Sequence, residues 1–275
     1  MADAKLREGM EFMTAAEKAR NKKTLFGKEK PDWDMAVQGY EAAATSFKNA
    51  RAFDQACEAY VKASECHRHL DSLFLAAKSL DAAALLTTTH LSQPAHAADL
   101  YRQVSDLFLA QGSADRAGES LEKGAKVLEQ ADPTKSIEMY DESCKLYEEE
   151  NKMRFGVDVF KRAIGVCVRN NRLPKALDLS TRLTTAFAKL DQKMNFHKQM
   201  LSSTVILLAL GDVGEAARRL EMGMGQLGLA SSEEGQIAQT LVQAFQDGDQ
   251  PAIDSSLKRH PVQYLENEVE EEGFL

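Results

Sequence analysis

An all-α fold, a right-handed α-solenoid of antiparallel helix pairs closed by a C-terminal helical bundle, is predicted from three features of the 275-residue chain. A small or apolar residue recurs early in each apolar-periodic segment, at Ala36, Ala56, Ala77, Ala98, Ala117, Ile137, Val157 and Ala176, in steps of 19 to 21 residues. All six prolines (Pro31, Pro94, Pro133, Pro174, Pro251 and Pro261) fall at segment boundaries and none interrupts an apolar period, as helices require. No convincing run of alternating apolar residues is present to suggest a sheet. A plain helical bundle is the bland alternative, but the period persists along most of the chain, and single hairpins that cannot bury their own apolar faces stack into arrays.

The segment from Pro94 to Gln130 defines the repeat. Ala97, Leu100, Tyr101, Val104, Leu107 and Phe108 share one face at a 3.6-residue period, while Asp99, Arg102, Gln103 and Asp106 fall off it, the pattern of an amphipathic helix. Gln111-Gly112-Ser113 stops that helix, since glycine tolerates the left-handed conformation. A second helix follows with Ala114, Ala117, Leu121, Ala125 and Leu128 inward. Asp132-Pro133 opens the next one, Asp as N-cap and Pro at the first position. Small residues followed by an aromatic (Ala36-Tyr40, Ala56-Tyr60, Ala97-Tyr101) favour a tetratricopeptide-like design, although a pair of about 40 residues exceeds the standard repeat of about 34.

In chain order, Lys5–Lys18 forms a first helix with Leu6, Met10, Phe12 and Met13 as its apolar residues. Residues 20–32 break the period and form a loop. Within it Leu25 and Phe26 stand beside Lys22, Lys23, Lys28 and Lys30. Either Phe26 folds back on the first hairpin, or the pair enters a headgroup boundary while the lysines meet anionic lipid. Helices follow over Trp33–Ala50, Phe53–His67, Leu70–Thr88 and Pro94–Ala110, then over Ser136–Glu149, Phe155–Val168 and Pro174–Leu190. From about Asn195 the texture changes. Thr204–Leu210 is nearly continuously apolar, glycines thicken, and Ser231-Ser232-Glu233-Glu234 offers a capping box for a helix over Gly235–Phe245. The expected division is a hairpin array over residues 1–194 and a helical cap with an acidic tail over residues 195–275.

The formal charge of −8 opposes a general nucleic-acid binder, which needs a basic surface. Charge is nonetheless segregated: residues 18–30 hold six cations against Glu29, and residues 266–275 hold five glutamates and no cation. Cys57, Cys66, Cys144 and Cys167 lack Cys-x-x-Cys spacing and read as small buried thiols of a reducing compartment. The longest apolar run, Val205–Leu210, is far short of the ~20 residues that cross a bilayer. A cytoplasmic protein is expected, associated with membranes only at its periphery.

No phosphate-binding glycine loop, nucleophile elbow or zinc pair is present, and Met222-Gly223-Met224-Gly225-Gln226 lacks the strand context of a nucleotide site. His67 and His69 beside Cys66 make no ligand quartet. The expectation is a binding protein without catalytic residues, metal or cofactor. Arg116, Lys123 and Lys126 on one helix, with Lys152, Arg154, Lys161 and Arg162 near its neighbour two helices on, form either a stripe for an acidic helical rod or an ordinary solvated face.

The ordered set Lys28-Glu29-Lys30-Pro31-Asp32-Trp33-Asp34, Ala43–Phe53 with its Phe47-Lys48-Asn49-Ala50, and Asp132-Pro133 before a helix with Tyr140 resembles the soluble N-ethylmaleimide-sensitive-factor attachment proteins, and within them the gamma form. The resemblance spans most of the chain and is strongest before residue 160. It implies an adaptor that binds the SNARE four-helix bundle (syntaxin included) and recruits and stimulates the AAA+ ATPase N-ethylmaleimide-sensitive factor for SNARE disassembly in vesicle-mediated transport. It implies membrane contact at Leu25 and Phe26, SNARE contact near Lys161, and ATPase contact through Glu270, Glu271, Glu272 and Leu275. The short acidic end departs from the gamma pattern. A generic tetratricopeptide scaffold for a short peptide or helix is the alternative.

Overall fold

A computed structural model of the chain describes residues 2–23, 27–259 and 261. It separates into two compact units, Met1–Lys152 and Met153–Leu275. The first contains α1 (Ala2–Arg20), α2 (Trp33–Asn49), α3 (Phe53–His69), α4 (Leu73–Leu86), α5 (Pro94–Ala110), α6 (Ala114–Leu128) and α7 (Pro133–Glu149). The second contains α8 (Met153–Arg169), α9 (Leu173–Lys189), α10 (Lys193–Ala209), α11 (Val213–Met224), α12 (Glu233–Asp247) and α13 (Gln250–Leu257). Apart from one antiparallel bridge between Lys23 and Glu29, no strand pairing occurs among the described residues. The helices pack pairwise in a tetratricopeptide-like repeat arrangement, each of α1 to α6 against the next in sequence.

The step of about 20 residues has a physical origin in the turns. Arg51, Asp71, Ser92, Gly112, Asn151, Asn171, Asp191 and Gly211 all adopt left-handed φ, from +51° to +78°. At seven of these turns the next amide reaches back along the helix: Ala52 donates to Phe47 O at 2.9 Å, Ser113 to Phe108 O at 2.8 Å and Arg172 to Cys167 O at 2.7 Å. That bond closes a helix C-terminus with a single reversed residue, so a 17-residue helix and a three-residue turn repeat nearly unchanged. The exception is the turn at Ser92, one residue late. There α4 runs on as a π-helical turn, Thr87–Leu91. The Thr87, Thr88 and Thr89 hydroxyls donate to the carbonyls of Ala83, Ala84 and Leu85 at 2.8–2.9 Å, competing with the backbone ladder, and the wider turn absorbs the extra residue. The helix expected to end at Thr88 therefore changes character at Thr87.

The repeat face of α5 and α6 is as expected: Ala97, Leu100, Tyr101, Val104, Leu107, Ala114, Ala117, Leu121, Ala125 and Leu128 are buried, and Phe108 is half-buried. Asp132 caps α7, accepting from the Lys135 amide at 3.1 Å, with Pro133 at the first position. Alanines lie at the crossings and Tyr40, Tyr140, Phe160 and Phe187 fill the space beside them, all fully buried.

α1 differs from expectation. Met10 and Phe12 are 47% and 37% exposed, and the helix buries Gly9, Ala16 and Ala19 instead. Around Ala16 the two helix backbones approach closely, while Leu6 and Met13 of α1 pack with Phe47 of α2 further along. A Cβ on Gly39 would stand 2.8 Å from the Ala16 Cβ.

In the second unit α10 packs against α9, α11 and α12, which explains its nearly unbroken apolar run. α12 starts one residue later than a Ser231 cap would place it. Ser232 is the N-cap, accepting from the Gly235 amide at 3.0 Å, and because the third helical residue is Gly235 the reciprocal half of a capping box is not made. The short α13 has Pro251 in its first turn and Asp249 as its N-cap, accepting from the Ala252 amide at 3.1 Å.

Candidate functional site

Three places in the described structure bear on partner binding. The first is the base of the loop between α1 and α2. The Asp32 amide donates to Ala19 O at 3.0 Å, and Lys30 donates to Lys22 O at 2.8 Å. With the Lys23–Glu29 bridge these bonds tie the two arms of the loop into a narrow stalk. Lys22 Nζ lies 3.2 Å from Asp32 Oδ2. Asp32 also caps α2, and the Met35 amide, followed by Lys22, holds its carboxyl below the ordinary value. Trp33 stacks on His69 with ring centroids 4.0 Å apart, fixing the exit of the loop against α3. Lys22, Lys23, Lys28 and Lys30 are exposed on this stalk. Leu25 and Phe26 lie outside the described residues, as do Glu270, Glu271, Glu272 and Leu275.

The second place is the set of basic residues. The first unit contains Arg116, Lys123, Lys126 and Lys152. Arg116 and Lys126 are exposed on α6. The Arg116 guanidinium lies 5.1 Å from the Phe74 ring centroid and 5.8 Å from that of Phe108. Lys123 reaches across to Asp81 on α4 at 3.1 Å and to Glu119 at 3.8 Å. Burial is the largest influence and opposes its charge, but Asp81, with Glu119 and Tyr101, together offset it and the ammonium pKa ends above its ordinary value. Lys152 sits 3.6 Å from Asp115 and 4.0 Å from Glu150. The second unit contains Arg154, exposed, and Lys161 and Arg162, both half-buried and engaged with neighbours. In the first unit, Lys123 and Lys152 are thus interleaved with carboxylates.

The third place takes in part of the glycine-rich stretch 222–226, whose Met222, Gly223 and Gln226 line it. A cleft of about 340 Å³ lies between α9, α10 and α11. Phe196, Met200 and Leu207 of α10 line it together with Thr181 and Thr185 of α9. Arg219 of α11 closes one side, donating to Thr181 Oγ1 at 2.8 Å and to Glu215 at 2.6 Å. Arg218 forks onto the same carboxylate, and the two arginines, Arg218 first, pull Glu215 down to about 2. Behind the cleft, Gln199 donates to Ser180 Oγ at 2.6 Å, and Ser180 meets Ser203 at 2.6 Å. The residues come from three helices, so no single motif marks them; the sequence signals are the threonine cluster of α9, the adjacent arginines of α11 and the glycine-rich stretch 222–226.

None of these places pairs a nucleophile with a base, and no group of three or more metal-ligating side chains occurs among the described residues. The four cysteines are reduced and buried. No helix among the described residues is long and apolar enough to cross a membrane.

Paired helices with small-residue crossings, a pinned lysine-rich loop and an interleaved charged surface describe a helical-repeat adaptor. The family model "Soluble NSF attachment protein, SNAP" matches residues 7–260, and the chain belongs to that family, whose members are adaptors and not enzymes. It is 31% identical to the gamma-soluble NSF attachment protein of Dictyostelium discoideum over 262 residues, 95% of this chain and 80% of that protein. It is 28% identical to the protein of the same name from Arabidopsis thaliana, over 79% of this chain and 75% of that protein. Among solved structures, that of BtubC (BKLC) from P. vanneervenii is similar at a TM-score of 0.41 and 15% identity, covering 80% of this chain and 92% of that one; so distant a likeness carries no argument.

Proposed function

We propose that this chain binds assembled SNARE four-helix bundles and recruits and stimulates the AAA+ ATPase N-ethylmaleimide-sensitive factor, which then takes the bundle apart during vesicle-mediated transport. The observation that carries the reading is the family match across residues 7–260, since attachment to NSF is what that family is named for. The assigned roles follow the family resemblance, extended along the basic residues. Arg116, Lys123, Lys126, Lys152, Arg154, Lys161 and Arg162 meet the acidic bundle. Glu270, Glu271, Glu272 and Leu275 engage the ATPase. Leu25 and Phe26, flanked by Lys22, Lys23, Lys28 and Lys30, touch the cytoplasmic membrane surface. Support for the last role is the base of the loop, whose arms are tied by backbone bonds and carry exposed lysines.

The reading is tested by ATP-driven disassembly of a purified SNARE bundle by the ATPase, with and without this chain. Disassembly is expected to require the chain and to fall on deletion of Gly273–Leu275; disassembly unaffected by the chain refutes the reading. A second reading, a scaffold for a short peptide or helix of another partner, is favoured by the cleft between α9 and α11. A tight hit on a peptide array that Arg219→Ala abolishes would establish it.

A further inference from the structure

The cleft between α9, α10 and α11 has an apolar floor and a cationic side. Phe196, Met200 and Leu207 of α10 form the floor. The threonines around it have little to donate. The hydroxyls of Thr181, Thr184, Thr185 and Thr204 each donate to the carbonyl four residues earlier in their own helix, at 2.7–2.9 Å. Donors for an incoming group therefore come chiefly from Arg218 and Arg219. Glu215 accepts from both arginines, and one anion against two guanidiniums leaves a positive charge over. Of the other carboxylates on these helices, Asp178 is paired with Lys175 and Arg182, Asp212 caps α11, and Glu221 is exposed but does not line the cleft. The Arg218 side chain is 59% exposed and Met222 63%, so the cationic side is open to a ligand. An apolar floor beside a surplus cation selects a ligand that sets carboxylates next to large apolar side chains.

One segment of this chain has that composition. In Glu270-Glu271-Glu272-Gly273-Phe274-Leu275 three carboxylates stand one residue away from a Phe-Leu pair. The segment lies outside the described residues, but the point from which it is tethered does not. After α13, Arg259 donates to Glu233 Oε1 at 3.0 Å, at the start of α12. Leu229 connects that place to the cleft. Ser232, the cap of α12, donates to the Leu229 carbonyl at 2.7 Å. The Leu229 side chain in turn lies against Gly223 of the cleft wall, where an added Cβ would stand 3.3 Å from its Cδ2. Residues 262–275 reach up to ~46 Å when extended. That exceeds the ~26 Å length of a 17-residue helix such as α9, so the tether can bring the segment to any part of the cleft.

We propose that this cleft is the docking site of the chain's own acidic segment, with Phe274 and Leu275 on the floor of Phe196, Met200 and Leu207, and with Glu271 and Glu272 against Arg218 and Arg219. Tethering favours this occupant over a free peptide, because a short flexible link holds the segment at an effective concentration of about 1 mM. A contact with a Kd of about 100 μM then keeps roughly nine-tenths of the chains docked. The consequence, though not the docking itself, rests on the reading that these same residues engage the ATPase. A docked segment is withheld from the ATPase, which lowers the apparent affinity about tenfold.

The test uses the whole chain with carbon-13 methionine methyls and a nitroxide on Gly273→Cys, the four native cysteines being buried. Met200 and Met222 line the cleft and report on proximity. Both methyl signals are expected to lose most of their intensity. They are expected to regain it in Phe274→Ser with Leu275→Ser, and in Arg218→Gln with Arg219→Gln, whereas Arg218→Lys with Arg219→Lys keeps the charge and stays docked. The Phe274 and Leu275 variant leaves α9 to α11 untouched, so it decides the matter independently of any loosening of α11. Signals that the nitroxide leaves at full strength overturn the proposal and leave the ATPase reading standing. Attenuation in a mixture of methyl-labelled chains and separate nitroxide-labelled chains assigns the cleft to a second copy and also overturns it. Binding of the ATPase to the bundle-loaded chain separates the two readings. Arg218→Gln with Arg219→Gln is expected to tighten it about tenfold; a segment freed in the spectra with no gain in ATPase affinity keeps the docking and removes the segment from ATPase contact.

Discussion

Gly39→Ala tests the close approach on which the first hairpin and its loop depend. The new Cβ would stand 2.8 Å from the Ala16 Cβ, 3.2 Å from its Cα and 3.3 Å from its amide nitrogen. These are backbone and near-backbone atoms of α1, so no flexible side chain can swing aside and α1 must move away from α2. Overpacking of this kind costs about 2 kcal/mol. Replacing glycine by alanine inside a helix returns about 1 kcal/mol. A net loss of about 1 kcal/mol is expected, measured by urea denaturation followed through Trp33, which lies on α2 and is the only tryptophan. Ala16→Gly removes the opposing methyl, so in that background Gly39→Ala is expected to stabilise, with a coupling of about 2 kcal/mol across the double-mutant cycle. Because residues 21–32 bridge the two helices, separation of α1 and α2 is also expected to lower vesicle binding. A Gly39→Ala protein more stable than wild type by about 1 kcal/mol, in both backgrounds, would show that the helices do not meet this closely.

The turns and the α11 carboxylate supply further predictions. Gly112 has φ +75°, and a Cβ added there would meet nothing within 4 Å, so Gly112→Ala should cost about 1 kcal/mol through backbone strain alone; equal denaturation midpoints would contradict this. Arg51 holds φ +60° on the surface, and Arg51→Gly should raise stability by about 0.5 kcal/mol, strain relief exceeding glycine's entropy cost. A destabilised Arg51→Gly would show that its side chain does more than occupy the turn. Glu215, pulled down to about 2, contributes stability that is present above its ordinary pKa and is lost as pH falls from there toward 2. Carboxyl NMR titration should place its midpoint near 2, and Arg218→Ala with Arg219→Ala should return it toward 4.5; a midpoint that does not move would remove the arginines as the cause.

Much of the array is legible in the sequence because its cause is local. The face of α5 and α6, the Asp132 cap and the prolines at helix starts can each be read within a few turns of helix. The period is visible, but its mechanism is hidden, since only Gly112 and Gly211 advertise the left-handed turn that Arg51, Asp71, Ser92, Asn151, Asn171 and Asp191 also adopt. Bulk misleads at α1, where Met10 and Phe12 look like a core face while Ala16 packs against Gly39. Competition between threonine hydroxyls and the backbone at Thr87–Thr89 has no periodic signature. The cleft of Arg219 and Thr181 joins residues 38 positions apart, and such a pairing exists only once the helices are stacked. Of the candidate sites, the lysine-rich loop is plain from composition; that its arms are tied at Lys22–Lys30 and Ala19–Asp32 is not.

The central claim is that this chain grips an assembled SNARE bundle through exposed charge. Pulldown of the chain on an assembled bundle and on its separate helices, at low and at high salt, tests that claim most directly. Retention is expected on the bundle alone, weakening as the Debye length contracts from roughly 10 Å at 0.1 M to about 3 Å at 1 M. Equal retention on separate helices, or binding to the bundle that salt leaves untouched, would contradict it.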